Sequence, residues 1–375
     1  MRHFLLSFLL AAACCLPALA QETFPRNGVY DERPGLVAFT HATLYTDYQT
    51  KVENATLLIR QGKIEAAGAG VRIPAGAVVI DVAGKYIYPG LVDIFSHYGL
   101  PPVIRARVSY ASGPTESQKK GPYSWNQAIR PENNAAELFK VDAKGAEDYR
   151  KQGFGAVLAL HPDGIARGTA ALVALSSKRE HEVILLDKAA AGLSFDRGSS
   201  SQDYPGSLMG AIALLRQTYL DARWNTRNPG KEQNLSLKAF SDTRAIPQIF
   251  EAADKANVLR ADKVGDEFGQ QYIIKGRGDE YQMLPAIQAT SAPLILPVNF
   301  PDAYLVEDPL DADRIALEDL KHWEMAPANA ALVARAGIPF AFTAAGLKDK
   351  KNFWPNIRIA IAHGLPEKEA LKALT

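Results

Sequence analysis

Residues 84–97 read GKYIYPGLVDIFSH, and they divide the sequence into two patterns. Before them, residues 35–85 hold short β-like stretches separated by turns such as Gln61-Gly62, which predicts a small β domain. After Tyr86, short apolar stretches alternate with helical ones, an order typical of a parallel α/β fold. The stretch therefore leads from a small β domain into a larger α/β domain.

The larger domain contains eight apolar stretches that are candidates for strands. They are residues 88–95, 155–161, 168–176, 182–187, 246–252, 270–276, 292–300 and 338–344. Helical stretches cover residues 143–153, 207–224, 259–269 and 328–337. Eight strands with interleaved helices predict a (β/α)8 TIM-like barrel of about 250 residues or more. The third and fourth candidates stand close together, so one could form a hairpin, and a doubly wound sheet is the competing architecture.

The stretch from Gly84 to His97 resembles the start of the barrel in the amidohydrolase superfamily. There the first barrel strand ends in a His-x-His pair that binds a divalent metal. Alternate residues of a strand point the same way, so such a pair aims two imidazoles at one ion. In this chain the two positions are Phe95 and His97, and a phenyl ring cannot coordinate a metal.

Residues 245–281 resemble the fifth and sixth strands of imidazolonepropionase-like amidohydrolases, which normally end in histidines. The matching positions hold Glu251 and Lys275. Where the eighth strand of the family ends in an aspartate that acts as general base, this chain has Ala344 and Ala345. The resemblance therefore implies a metal-dependent hydrolase fold that lacks most of its metal ligands.

Three residues remain as candidate metal ligands. His97 and Glu251 would be vestigial ligands, and His161, at the end of the second strand candidate, could substitute for a lost one. A catalytic zinc site needs about three protein ligands, and a lone histidine more often makes a structural hydrogen bond. We expect no catalytic residue and no cofactor in this chain; an active form would need a divalent metal such as zinc.

The segment KGRGDE, residues 275–280, follows the sixth strand candidate. Its charges and glycines could bind an anion at the carboxyl face of the barrel. A solvated turn is the more common role of such a segment, and that is our expectation for it.

The first twenty residues predict export. A short positive start is followed by the apolar residues 4–16 and by Ala18-Leu19-Ala20, which together form a secretory signal peptide. The mature protein would begin at Gln21 and be periplasmic or secreted. Acylation of Cys14 or Cys15, as in a lipoprotein, is the alternative. Both cysteines leave with the signal, so the mature chain would have no disulfide.

The predicted organisation is a signal peptide (1–20), a lead-in linker (21–34), a partial β-sandwich domain (35–87) and an amidohydrolase-like barrel (88–375). The chain has 42 Lys and Arg against 41 Asp and Glu, and this balance argues against a nucleic-acid partner. No later apolar run reaches transmembrane length. Members of the family continue past the position of Thr375 with strands that complete the β-sandwich, so we expect a C-terminally truncated barrel unit.

Residues 266–281, 294–304 and 320–343 resemble the N-terminal unit of exported proteins that carry two amidohydrolase-like units in tandem, the first with a degraded metal site. This resemblance implies a non-catalytic unit that supports a downstream catalytic one, or that forms a homo-oligomer. Two alternatives stay open: an active exported hydrolase of C–N bonds, and a module that binds a ligand at the barrel mouth. The sequence names no substrate.

Overall fold

The computed structural model describes residues 35–105, 107, 117 and 119–375. The predicted signal peptide, its two cysteines and the lead-in linker lie outside these ranges. The chain forms two compact units, Met1–Ala42 with Glu53–Lys85 and Thr43–Val52 with Tyr86–Thr375. No helix in the described ranges is long and apolar enough to cross a membrane.

The first unit contains the larger part of a sheet in the order β3-β2-β1-β4. Its strands are β1 (Leu36–Tyr45), β2 (Lys51–Arg60), β3 (Lys63–Gly68) and β4 (Val78–Asp81). The turn between β2 and β3 is formed by Gln61 and Gly62, both with positive φ, which suits the twist of a two-residue hairpin. The edge strand β4 pairs with β1 in parallel and is exposed along its whole length.

The second unit contains an eight-stranded sheet whose strands follow one another in chain order. The short strand β5 (Tyr86–Ile87) pairs with the end of β1, and the sheet then comprises β6 (Leu91–Ser96), β7 (Phe154–Ala159), β8 (Ala166–Ala174), β9 (Ile184–Ser194), β10 (Gln248–Glu251), β11 (Ile273–Lys275), β12 (Leu294–Pro297) and β13 (Phe340–Thr343). Every strand candidate of the sequence corresponds to one of these eight. The prediction of an α/β barrel is confirmed, and the doubly wound alternative is wrong because the first and last strands meet.

One strand departs from a parallel (β/α)8 pattern. Strand β8 runs antiparallel to both β7 and β9, whereas all other neighbours in the sheet are parallel. The close spacing of the third and fourth candidates arises from this hairpin-like path. A reversed strand begins where its neighbours end, so the first residues of β8 lie at the carboxyl end of the barrel, the mouth.

Helices surround the sheet, and two of the longest begin at side-chain caps. Ser207 accepts a hydrogen bond from Gly210 N at 3.2 Å, and Asp254 accepts one from Asn257 N at 2.8 Å, as N-cap residues do. The helices are Ala135–Leu138, Ala143–Lys151, Glu180–Val183, Leu208–Arg227, Leu235–Asp242, Lys255–Phe268, Leu284–Ala289, Pro309–Ala312, Leu317–Met325, Asn329–Arg335, Phe353–Ala362 and Glu367–Lys372.

The barrel closes through a fully buried carboxylate, Asp93. Its Oδ1 accepts a hydrogen bond from Phe95 N at 3.1 Å, and its Oδ2 accepts one from Ala344 N at 3.0 Å. Beside it, the Thr343 hydroxyl donates to the Phe95 carbonyl at 2.8 Å. Burial raises the pKa of Asp93 to about 6, although these hydrogen bonds and the charge of Lys350 oppose the rise. Asp93 therefore joins the first barrel strand to the residue that follows the last one.

We predict that Asp93→Asn destabilises the second unit by about 1–3 kcal/mol, because an amide can accept from only one of the two backbone N–H groups and leaves the other unpaired. Urea unfolding at pH 7 measures the change. Asp302→Asn, at an exposed carboxylate paired with Lys348, is the matched control and should leave the midpoint unchanged. Equal midpoints for both variants would contradict the role of Asp93 in closure.

Candidate functional site at the barrel mouth

The barrel mouth is formed by residues at the carboxyl ends of parallel strands. Ser96 ends β6, Glu251 ends β10, Lys275 ends β11 and Thr343 ends β13. In barrels of this kind the carboxyl end carries the functional groups. The family-matched positions therefore lie at the face where a site is expected.

Glu251 is held by two cations at the mouth. Its Oε2 accepts from Arg167 Nη1 at 2.7 Å, and its Oε1 accepts from Lys275 Nζ at 3.1 Å. Arg167 is almost fully buried, and its Nε donates to the Gly164 carbonyl at 3.1 Å. Each carboxylate oxygen thus has a positively charged partner.

Burial alone would raise the pKa of Glu251, but the charges and hydrogen bonds of Arg167 and Lys275 outweigh it and lower the pKa to about 2. The carboxylate is ionised at any physiological pH. Since charge-assisted hydrogen bonds are about twice as strong as neutral ones, the three groups form a rigid cluster, which we call the mouth ion cluster (Arg167, Glu251, Lys275).

Phe95 takes the place of a ligand and joins this cluster by its ring. The Lys275 ammonium lies 5.4 Å from the centroid of the Phe95 ring, within the range of a cation–π contact. Phe95 is buried and packs with the apolar side chains that fill the barrel interior, among them Leu160, Ile249 and Ile295. At the position where the resembling family has its first histidine, this chain therefore has a core residue.

His97 is a neutral, oriented histidine. Its Nδ1–H donates to the Leu160 carbonyl at 2.8 Å, which leaves Nε2 as the ring acceptor. Burial lowers the pKa of His97, and the charges of Arg167 and Lys275 lower it further, against the hydrogen bond to Leu160 and the charge of Glu251. Its ring meets Phe95 edge to face at 5.4 Å between centroids.

His161 does not join His97 and Glu251. Its Nε2–H donates to the Pro101 carbonyl at 3.2 Å, while its buried Nδ1 has no partner among the described residues. Burial lowers the pKa of His161 as well. Within the described ranges no three His, Cys, Asp or Glu side chains are grouped so that they could hold a metal ion.

The expectation of a solvated turn at residues 275–280 is correct for Arg277, which is exposed, but wrong for Glu280. Glu280 is completely buried; its Oε1 accepts from Arg277 N at 2.8 Å and from Gly278 N at 3.1 Å, and its Oε2 accepts from Asn329 Nδ2 at 2.6 Å. The carboxylate thus accepts hydrogen bonds from two backbone N–H groups of its own loop. The loop is therefore an internally bonded structural element, and burial raises the pKa of Glu280.

Sequence reasoning missed Arg167, the central cation of the mouth. It lies in ARGTA, which reads as the start of an ordinary strand, and a charged residue there would be expected to face solvent or the amino end of the barrel. Only the reversal of β8 brings it to the mouth. The signal that could have revealed it is the short interval between the second and third strand candidates.

No protein-family model and no curated protein matches the sequence. Among solved structures, an amidohydrolase from Thermotoga maritima is similar with a TM-score of 0.65 and 18% identity, over 90% of this chain and 86% of that one. The chain has the amidohydrolase fold. A prolidase (TM-score 0.46, 15% identity, 91% and 86% covered) and the A. niger ochratoxinase (0.46, 14%, 91% and 83%) are also similar.

Enzymes with the amidohydrolase fold generally depend on a metal, but the described residues do not fit one. Phe95 offers no donor atom, and Ala344 and Ala345 offer no carboxylate. Both oxygens of Glu251 are bonded to cations, and a divalent ion beside them would be repelled by Arg167 and Lys275. In this amidohydrolase fold the mouth is stabilised by the chain's own positive charges.

We predict that Glu251→Gln destabilises the protein by about 3–5 kcal/mol at pH 7, because Arg167 would be left buried without a counter-charge. The pKa of Glu251 is lowered, so its stabilisation is complete above pH 4.5 and disappears as the pH falls through about 2. The difference in unfolding free energy between wild type and variant should therefore shrink between pH 5 and pH 3.

The control for this measurement is Glu147→Gln, which removes an exposed carboxylate paired with Lys151 at 2.8 Å. It should change stability little at either pH. A Glu251→Gln variant as stable as the Glu147→Gln variant at pH 7 would show that the mouth ion cluster is not a structural device.

Proposed function

We propose that this chain is a non-catalytic protein with an amidohydrolase fold, and that it supports a catalytic amidohydrolase unit. The observation that carries the proposal is the mouth ion cluster, in which Arg167 and Lys275 neutralise Glu251. Hydrolysis on this fold requires a metal that activates water and polarises the substrate carbonyl. Glu251 is the carboxylate at a position where the resembling family has a metal ligand, and it is already bonded to two cations. Such a mouth is unsuited to a metal.

Two observations support a protein partner. Residues 266–281 and 320–343 resemble the metal-site-degraded first unit of tandem amidohydrolase-like proteins. In the first unit of this chain, the edge strand β4 exposes Val78, Val79 and Ile80 together. An uncovered apolar edge strand is a surface on which another chain can add strands.

We propose further that the protein acts outside the cytoplasm. The basis is the signal-like pattern of residues 1–20, with its Ala18-Leu19-Ala20 cleavage site. N-terminal sequencing of the protein from its own cells should give Gln21 first. Retention of Met1, or a lipid on Cys14 or Cys15, would contradict this proposal.

We predict that the protein purified without chelators contains well below one equivalent of zinc, manganese or iron by elemental analysis. Adding zinc should leave the melting temperature unchanged, because the described residues contain no group of three ligands that could bind it in the folded state. One equivalent of metal that is lost in His97→Ala would contradict the proposal and favour the active hydrolase with His97, His161 and Glu251 as ligands.

We predict that a tagged copy isolated from its own cells carries a metal-containing amidohydrolase unit in a stoichiometric amount, measured by mass spectrometry and light scattering. Val79→Lys should abolish this association, since a lysine on an edge strand opposes strand addition. Lys63→Glu, on the opposite edge strand β3, is the control and should retain it. Recovery of the chain as a dimer of itself would favour the homo-oligomer instead.

A second candidate is a module that binds a ligand at the mouth without turnover. It is favoured by the charges there, because two cations face a single carboxylate and one positive charge remains unbalanced. Such a mouth suits the terminal carboxylate of a peptide. Calorimetric titration with dipeptides tests it: uptake in the wild type and loss of uptake in Lys275→Met would favour this candidate.

A further inference from the structure

A cavity lined by three arginines lies at the end of the barrel opposite to the mouth. Its volume is about 480 Å³, and its walls include Arg223, Thr226, Arg227, Ser241, Arg244 and Gln270. Arg244 belongs to the 3₁₀ turn Thr243–Ala245, which precedes β10, and Gln270 precedes β11. The cavity is thus built where parallel strands begin.

Its three arginines have no acidic partner. Among the described residues, Arg223, Arg227 and Arg244 form no ion pair with a carboxylate. Arg216, on the same helix as Arg223, shows the contrast, because it binds both oxygens of Glu267 at 2.6 and 2.5 Å. The positive charges of the three cavity arginines are therefore not balanced by a carboxylate, whereas that of Arg216 is.

Aromatic rings hold two of these arginines in place. The Arg223 guanidinium lies 5.0 Å from the centre of the Phe268 ring, and the Arg244 guanidinium lies 5.7 Å from that of Tyr219. The two rings are themselves stacked, with centroids 4.4 Å apart. Stacking restrains a guanidinium through its face and leaves its N–H edges available for hydrogen bonds.

Arg244 also carries a donor that lacks an acceptor. Its Nη2 donates to the Phe268 carbonyl at 3.0 Å, but its Nε is buried and has no hydrogen-bond partner among the described residues. Leaving a buried charged donor unpaired is unfavourable. This Nε is not accessible from the cavity, so Arg244 would contact an anion through its remaining N–H groups.

Helix ends balance only part of the positive charge. The helices Leu208–Arg227, Leu235–Asp242 and Lys255–Phe268 all end near the cavity, as shown by Arg227, Ser241 and the bond from Arg244 to the Phe268 carbonyl. Each helix C-terminus is equivalent to roughly half a negative charge. Three such ends offset about half of the charge of three arginines, so the cavity attracts an anion.

We propose that this cavity binds the phosphate group of inorganic phosphate or of a small organic phosphate. A phosphate offers several acceptor oxygens in a tetrahedral arrangement, which suits donors that reach it from different elements. At the wall the Thr226 hydroxyl donates to the Ala222 carbonyl at 2.9 Å and accepts from the Ser241 hydroxyl at 3.2 Å, so the arginines supply the donors for the anion. A cavity of about 480 Å³ also has room for a small organic group.

Calorimetric titration of the whole protein with inorganic phosphate, at constant ionic strength and pH 7.5, tests the proposal. We expect saturable binding of one phosphate per chain, and binding of sulfate but not of acetate. Arg244→Gln and Arg227→Gln should each weaken phosphate binding at least tenfold. Arg227 is exposed, so its variant tests the site even where loss of the Arg244 bond to Phe268 impairs folding.

Arg216→Gln is the matched control, because it removes an arginine of the same helix that is already paired, and it should bind phosphate like the wild type. Absence of saturable binding, equal binding of acetate, or an equal loss in Arg216→Gln would each overturn the proposal.

Discussion

The hydrogen bonds around Asp93 are the constraint on which the barrel depends. The bond from Ala344 N to Asp93 joins residues 251 positions apart, so all the intervening strands must fit between β6 and the end of β13. A carboxylate can accept from two backbone N–H groups at once, and its burial is tolerated because both oxygens are occupied. Burial also raises the pKa of Asp93 to about 6, against the effect of these hydrogen bonds.

Closure brings the ends of β6, β10 and β11 to one face, and the reversed strand β8 adds a buried arginine to it. Without Arg167, Glu251 and Lys275 would form a simple pair beside Phe95. With it, the carboxylate is bonded on both oxygens, and the pKa of Glu251 is lowered to about 2 despite its burial. The direction of β8 therefore determines the charge of the mouth, because it brings the Arg167 guanidinium there.

The sequence allowed all eight barrel strands to be located, because buried strands are short apolar runs separated by recognisable helices. The close spacing of the third and fourth candidates indicated that one of them could form a hairpin, but an apolar run looks the same read either way, so the sequence did not show which strand is reversed. For that reason Arg167 was missed. Glu280 was misassigned for a related reason: a charged, glycine-containing segment is usually solvated, and only the fold supplies the inward N–H groups and Asn329 that satisfy the carboxylate.

The reversed strand also bears on what it would take to place a metal at this mouth. Substituting histidines at the positions of Phe95 and Lys275 would supply imidazoles, but the guanidinium of Arg167 would remain bonded to Glu251 from a separate strand. Arg167 is in turn anchored to the Gly164 carbonyl within the bend that reverses the chain. The arginine would have to be replaced as well, and its replacement would leave Glu251 with one charged partner fewer. The path of the backbone thus keeps a buried cation at the mouth that substitutions on the neighbouring strands do not remove.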